Sequence, residues 1–428
     1  MDHRKKLNLE HITIFIYTPE KNTTNELDSV ALFRNFIPDI QYIIISYYHD
    51  LIHILPRHIK HDWFRLLREN YAQTYSKDVF SNDDLNQIFI QNCRDEKKNI
   101  IIRRDMMLIR VDPRTIIVYR ISQTREIPAT YHELVCLGPV EYPADIIRFS
   151  CENNYLIIQS THTIVKAEIS IWDTLKLSEF KEIRGIPMNI AEMNSADYQT
   201  LILLTDGRLM LFCCRSGDLW RVKNLPGKVV KIACGTSHAA ILLDDGRLMT
   251  GGTNLYGQLG RKSKKIGPVM SELFDFREVV NIPGNIVNIV CTFHNTFVLF
   301  SDGVLMGCGN NSWCQMGRFP RTNVDTFEII TGLPKNIASI NGGNCYTVIQ
   351  LTDGILLYAG YNENHIMAIK HENFIEKFSP MGNPEQNLGQ VICGHFFLVI
   401  QQNDTNLVTH GINHYEPNTG DPIKFRLL

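Results

Sequence analysis

The chain has 428 residues, 44% of them hydrophobic and 21% charged, with a formal net charge of -2. That is the make-up of an ordinary globular protein long enough to bury a large core. The near-neutral balance argues against general binding to nucleic acid, and no apolar run is long enough for a helical membrane span.

The eleven cysteines include no C-x-x-C pair, and the one adjacent pair is Cys213-Cys214. Zinc needs ligands clustered at short spacing, so reduced, buried thiols in an intracellular protein are expected, with no metal and no cofactor. The N-terminal MDHRKKLNLEHITIFIYTPE lacks a small-residue cleavage site and reads as no signal peptide. The C-terminal IKFRLL carries no prenylation cysteine.

Residues 1–35 form an N-terminal segment with one strand-like run, HITIFIY, and a polar stretch. Helical spacing first appears in residues 36–70. Pro38 suits the first turn of a helix, and Ile40, Ile43, Ile44 and Tyr47 make one stripe. Leu51, Ile52, Ile54 and Leu55 make a second segment, which Pro56 interrupts. Ile59, Trp63, Leu66 and Leu67 make a third. Three short helices bury little surface alone, so this small α-helical domain needs a partner or the rest of the chain. Residues 71–98 read as a helical and polar connector.

From residue 99 to 428 the pattern changes to short alternating runs broken by turn signals. In ILLDDGRLMTGGTNLYGQLG, Asp245-Gly246 predicts a tight hairpin with both central residues at φ > 0. Gly251 and Gly252 predict a close backbone approach. The hairpin recurs at Asp206-Gly207, Asp302-Gly303 and Asp353-Gly354, and in weaker form at Asp404-Thr405. Nineteen residues before the Asp stands Pro187, Pro226, Pro283 or Pro334 in the four clear copies. Eleven residues before it stands Ser195, Cys234, Cys291, Gly342 or Cys393, always small, as a tightly packed inward position requires. An upstream copy places Pro143, Cys151 and His162-Thr163 in the same slots, and another around residues 106 to 120 turns at Asp112-Pro113. Units of 40 to 57 residues built from hairpins read as propeller blades, because closing a ring removes exposed sheet edges. The expected fold is mainly β: a seven-bladed β-propeller of six to seven degenerate repeats.

Residues 229 to 260, VVKIACGTSHAAILLDDGRLMTGGTNLYGQLG, closely resemble the repeat of the regulator of chromosome condensation family. The resemblance covers residues 140 to 415 and implies seven blades. Residues 36 to 70 resemble an F-box: Ile37-Pro38, Ile43, Ile44, Ser46-Tyr47, Asp50-Leu51 and Trp63 fit its pattern. That resemblance implies docking to a Skp-type adaptor of a cullin-RING ubiquitin ligase through Pro38, Ile43, Ile44, Leu51 and Trp63. A helical cap packed on the propeller is the equal alternative.

Two features stand out on the propeller. Arg261, Lys262, Lys264 and Lys265 form a basic loop suited to phosphate or an acidic partner, or a solvated surface loop. Trp313 is either a surface anchor or an inter-blade filler. His238 reads as a structural histidine, since Asn295 and Tyr346 occupy its slot in later units. No nucleophile elbow, P-loop or paired-carboxylate motif points to bond-making catalysis. The expected function is a non-enzymatic protein-interaction scaffold, a substrate receptor for ubiquitination if the F-box resemblance holds. The family's founding members imply the alternative, nucleotide exchange on the small GTPase Ran.

Overall fold

A computed structural model describes residues 80–81, 84–85, 88 and 100–426, apart from 104–105, 127–128, 153, 172–173, 198, 263–274, 363–372, 382–389, 396, 402–405 and 411–422. The chain divides into Met1–Leu66 and Leu67–Leu428, and every described residue falls in the second unit. The helical expectation for residues 36–70 and the Asp404-Thr405 turn lie outside the described residues.

The second unit is a seven-bladed β-propeller. Blade 1 runs Ile100–Arg103, Met106–Arg110, Thr115–Glu126 and Ala129–Glu141. Blade 2 runs Arg148–Glu152, Tyr155–Gln159, Ile164–Ser170 and Lys176–Leu177, with Lys181–Glu182 also paired to its third strand. Blade 3 is Ile190–Ser195, Thr200–Leu204, Leu209–Phe212 and Leu219–Arg221. Blade 4 is Val229–Cys234, His238–Leu243, Leu248–Gly252 and Arg277–Glu278. Blade 5 is Ile286–Cys291, Asn295–Phe300, Leu305–Gly309 and Val324–Ile329. Blade 6 is Ile337–Gly342, Tyr346–Leu351, Leu356–Tyr361 and Phe374–Pro380. Blade 7 is Val391–Cys393, Leu398–Gln401, Asn406–His410 and Ile423–Arg426. Each sheet is antiparallel in simple sequence order.

First strands pack against first strands, so they line the axis, and that of blade 1 lies beside those of blades 2 and 7. The ring therefore closes. Its last seam is apolar: Ile100, Ile102, Met107 and Ile109 of blade 1 cluster with Phe397, Val399 and Leu407 of blade 7. The alternating runs explain the rest of the core. Ile241 and Leu243 of blade 4 pack with Leu201 and Leu203 of blade 3, all at most 2% exposed. A register shift recurs near the start of the inner strand in blades 3 to 6, at Ile190/Glu192, Val229/Lys231, Ile286/Asn288 and Ile337/Ser339. A repeated bulge of this kind adds the same local twist to each blade.

The Asp-Gly turns differ from the expected two-residue hairpin. Only the glycines take positive φ: Gly207 (84°), Gly246 (86°), Gly303 (82°) and Gly354 (87°). The Gly246 amide donates to Leu243 O at 3.0 Å and the Leu243 amide to Arg247 O at 3.0 Å, which is a three-residue loop closed by a glycine bulge. Asp245 keeps an ordinary φ because its Oδ1 accepts from the Arg247 amide at 3.1 Å. Asp206, Asp302 and Asp353 do the same for Arg208, Val304 and Ile355. The close approach falls at Gly252 (φ 105°), where a Cβ would lie 2.6 Å from His238 Cα. Gly251 sits in the ladder opposite Ala239.

These turns and the connections between blades share one end of the ring, here the turn face. The loops joining strands 1 to 2 and 3 to 4 share the other, the loop face. The described residues of the connector dock on the turn face. Ser81 and Asp84 form a reciprocal cap, with Ser81 N to Asp84 Oδ2 at 2.8 Å and Asp84 N to Ser81 Oγ at 3.2 Å. Asn285 Nδ2 of the blade 4–5 connection donates to the same Oδ2 at 2.7 Å. Burial works to raise the Asp84 pKa, but hydrogen bonds from Ser301, Ser81 and Asn285 outweigh it and hold it below the ordinary value.

Candidate protein-interaction face

The loop face is built from three slots that repeat in the strand 1–2 loops. The first is the small residue: Ser195, Cys234, Cys291, Gly342 and Cys393. The next holds Gly235, Thr292, Gly343 and Gly394 in blades 4 to 7. Three positions later come His238, Asn295, Tyr346 and Phe397. Wherever that last side chain is a ring, it lies over the glycine: a Cβ on Gly235, Gly343 or Gly394 would collide with His238, Tyr346 or Phe397 respectively. Blade 5 has no ring there, and its glycine is replaced by Thr292.

The ring side chains also bridge to the next blade. His238 Nε2 lies 3.0 Å from Thr296 Oγ1. The Thr296 hydroxyl hydrogen goes to Gln258 O at 2.7 Å, so His238 must donate from Nε2, which fixes its tautomer. Burial, with a smaller push from His294, lowers the His238 pKa to about 3, so the ring is neutral. Tyr346 OH donates to Gly394 O at 3.1 Å and also contacts Phe397 O.

Between the last two slots lie two variable positions per blade, the first of them Asp197, Thr236, Phe293, Asn344 and His395. The Thr236 amide donates to Phe293 O and the Asn344 amide to His395 O, both at 3.2 Å, each from one blade to the next. Phe293 stacks on His395 with ring centroids 4.7 Å apart, although their blades are not neighbours. His294 packs against Tyr256 at 4.8 Å. Burial and the neighbouring His395 lower the His294 pKa, while Asp197 opposes them. The axial end of the loop face is thus aromatic and half-buried.

The strand 3–4 loops of blades 4 and 5 are one device used twice. Asn254 Oδ1 accepts from the Leu259 amide and its Nδ2 donates to Arg261 O, at 2.9 and 3.1 Å. Asn311 does the same for Met316 and Arg318, at 3.0 and 3.1 Å. Gln258 and Gln315 each accept from a loop-tip amide, Tyr256 and Trp313, at 2.9 Å. The buried amides hold the tips rigid, and the apolar tip residues remain in water: Leu255 is 49% exposed, Trp313 36%, and Phe319 just past the second clamp 67%. The Trp313 ring packs across the blade boundary on Tyr361 and Phe374, at 5.2 and 5.6 Å, and still presents an edge to solvent.

The basic loop is less uniform than its sequence. Arg261 turns inward, donating to Thr250 Oγ1 and Thr250 O at 3.1 and 2.9 Å, while Lys262 is exposed. Lys264 and Lys265 lie outside the described residues, as do Pro38, Ile43, Ile44, Leu51 and Trp63. Among the described residues no group of three or more His, Cys, Asp or Glu side chains could hold a metal ion, and no helix is long and apolar enough to cross a membrane. Nothing in the sequence alone marks Leu255, Phe293, His395 or Phe319 as lying on this face. Phe293 and His395 share a position of the repeat that varies from blade to blade.

Residues 229–258, which span blade 4's first three strands, match the regulator of chromosome condensation (RCC1) repeat. The chain is similar to the X-linked retinitis pigmentosa GTPase regulator homolog of Caenorhabditis elegans, 33% identical over 110 residues, which is 24% of this chain and 8% of that protein. It is also similar to the RCC1-like G exchanging factor-like protein of Mus musculus, 30% identical over 124 residues, 29% of this chain and 25% of that one. The matches thus span a quarter or less of these relatives. The crystal structure of Prp20p from Saccharomyces cerevisiae, described with its binding properties to Gsp1p and histones, shares the fold. Its TM-score is 0.54 at 17% identity, covering 68% of this chain and 81% of that one.

Proposed function

We propose that the chain is a non-enzymatic protein-interaction scaffold whose loop face docks a protein partner. One observation carries this reading: Leu255, Trp313 and Phe319 are exposed on loops that buried Asn and Gln side chains already hold rigid. Anchors that are ordered before binding lose little entropy on association, and large apolar and aromatic anchors dominate interface energies. Cross-linking of the full chain to a bound partner, read by mass spectrometry, tests it. Cross-links from Lys262 and its loop-face neighbours support the reading; cross-links confined to turn-face lysines such as Lys228 and Lys335 overturn it.

The finer proposal concerns residues 36–70. Pro38, Ile43, Ile44, Leu51 and Trp63 would engage a Skp-type adaptor, making the chain an intracellular substrate receptor for a ubiquitin ligase. The reading rests on the F-box-like pattern alone. Co-purification with such an adaptor, lost in Leu51→Ala with Trp63→Ala, supports it; a wild-type chain that binds no such adaptor removes it.

A second reading is exchange on a Ran-type small GTPase. It is favoured by the relative described as a G exchanging factor and by the Prp20p structure described with Gsp1p binding. Exchange stabilises the nucleotide-free state of the partner and needs no bond-making residue in this chain. Accelerated nucleotide release from such a GTPase at micromolar chain supports it, and an unchanged rate removes it.

A further inference from the structure

Blade 1 carries a strand pair that the docking reading does not use. Its third and fourth strands have 12 and 13 residues. Among the described residues no third or fourth strand of another blade exceeds 7. The second strand covers the third only as far as Met106, which pairs with Arg120. The third and fourth strands then continue together, from Ile121 with Leu134 to Glu126 with Ala129. Third strands run from the turn face to the loop face, so this ribbon extends on the loop-face side, for roughly 17 Å past the second strand. A register shift at Val118/Tyr119 leaves Leu137 as an extra residue in the fourth strand, and Gly138 beside it takes a φ of 122°. Such a bulge bends the ribbon where it leaves the blade.

The direction of the backbone groups follows from two bonds at the base. The Val111 amide donates to Thr115 O and the Tyr142 amide to Arg114 O, at 3.1 and 2.9 Å. Along an antiparallel strand the backbone groups alternate in direction. Odd-numbered residues of the third strand therefore face the second strand, and even-numbered ones face the fourth. Ile121, Gln123 and Arg125 turn their N–H and C=O groups to the inner edge, where the second strand has ended, and among the described residues no strand pairs there. Other edges are guarded. Pro139 pairs with Ile117, so it falls on the outward edge of the fourth strand, where it offers no N–H. The fourth strands of blades 2, 3 and 4 have only 2, 3 and 2 residues. Residues 121–126 include no proline.

We propose that the inner edge of this ribbon, at Ile121, Gln123 and Arg125, takes up an extended segment of the docked protein partner as a third strand, in the line that the second strand leaves. The chemistry recognised is main chain. Donors and acceptors spaced as in a strand fit an extended peptide. A two-stranded ribbon is marginal in water, and a third strand completes it. The inner edge borders the loop face, so the protein that meets Leu255, Trp313 and Phe319 supplies the strand. The proposal rests on the docking reading for that source alone.

Panning a linear peptide library on the full chain, then measuring hydrogen exchange of the chain with and without an enriched peptide, tests the ribbon. The peptide is expected to protect residues 121–126 and to leave residues 129–134 unchanged. Gln123→Pro removes an N–H from the inner edge without touching the bonds to the fourth strand, and is expected to weaken peptide binding about tenfold or more. Arg125→Pro, on the same edge, repeats the test should that variant fail to fold. Trp313→Ala with Phe319→Ala is expected to leave peptide binding unchanged, so the ribbon and the clamped tips are read separately, and the ribbon result stands even where cross-linking places the whole partner on the turn face. Enrichment of no peptide, protection confined to other segments, or equal binding by the proline variants overturns the proposal. Protection of residues 121–126 that rises with chain concentration in the absence of peptide makes a second copy of the chain the occupant, and overturns it too.

Discussion

His238 of blade 4 and Thr296 of blade 5 are joined by a 3.0 Å bond in which the hydroxyl accepts from the ring and donates onward to Gln258 O. One hydroxyl thus ties an inner loop of blade 4, the next blade and the clamped loop of blade 4 together. Thr296→Val keeps the shape, strands His238 Nε2 and leaves Gln258 O with only the Cys308 thiol as donor. A loss of about 2 kcal/mol is expected, since each buried unsatisfied group costs roughly 1–3 kcal/mol. Calorimetric unfolding of the two proteins measures it.

The neutral His238 makes stability depend on pH. Its folded pKa of about 3 lies far below the ordinary 6.5, so the unfolded chain binds the extra proton between those values. Stability from this residue is complete above pH 6.5 and is lost as pH falls. Between pH 7 and 5 the loss is about 2 kcal/mol. His238→Phe places in blade 4 the ring that blade 7 carries as Phe397. It is expected to fold, to be less stable at pH 7 and to lack this part of the slope. Urea midpoints at pH 5, 6 and 7 compare the two.

The four turn glycines share a conformation but not a neighbourhood. A Cβ at Gly354 meets nothing within 4 Å, one at Gly207 would lie 2.7 Å from Lys228 Cβ, and one at Gly303 would collide with Lys335 backbone. Gly354→Ala therefore costs only the strain of positive φ, about 1 kcal/mol. Gly207→Ala costs more and Gly303→Ala most. Melting temperatures of the three variants should fall in that order.

Clamp and anchor separate stability from binding. Asn311 is fully buried and makes three hydrogen bonds within its loop, to Met316, Arg318 and Pro320. Asn311→Ala should lower both the melting temperature and partner affinity, because the tip loses its preset shape. Phe319→Ala, at a residue 67% exposed, should lower affinity and leave melting within about 1 °C. Paired melting and binding curves distinguish the two effects.

The propeller was legible because its signal repeats: Asp-Gly, the proline and the small slot recur at fixed offsets, and each marks a backbone constraint that blade packing imposes. The turn type was not. Asp245 next to glycine suggests two positive φ angles, but its carboxylate caps the Arg247 amide from an ordinary conformation, and the loop lengthens by one residue. In the weak first blade, alternation alone marks Met106–Arg110 and the strand from Thr115 on either side of Asp112-Pro113. The proposed docking face is less legible, because the residues assigned to it vary between repeats. Trp313 stood out by type. Leu255 and Phe319 look like any apolar residue until the clamps fix them outward. Arg261 looked like a free charge until Thr250 claimed it.

Quantitative affinity purification of the full chain, wild type beside Trp313→Ala with Phe319→Ala and beside Val280→Ala with Ile355→Ala on the turn face, tests the docking face most directly. The account predicts that the loop-face pair depletes the specifically bound protein at least tenfold, a loss of about 1.4 kcal/mol or more, while the turn-face pair retains it. Retention by the loop-face pair together with loss by the turn-face pair would contradict it.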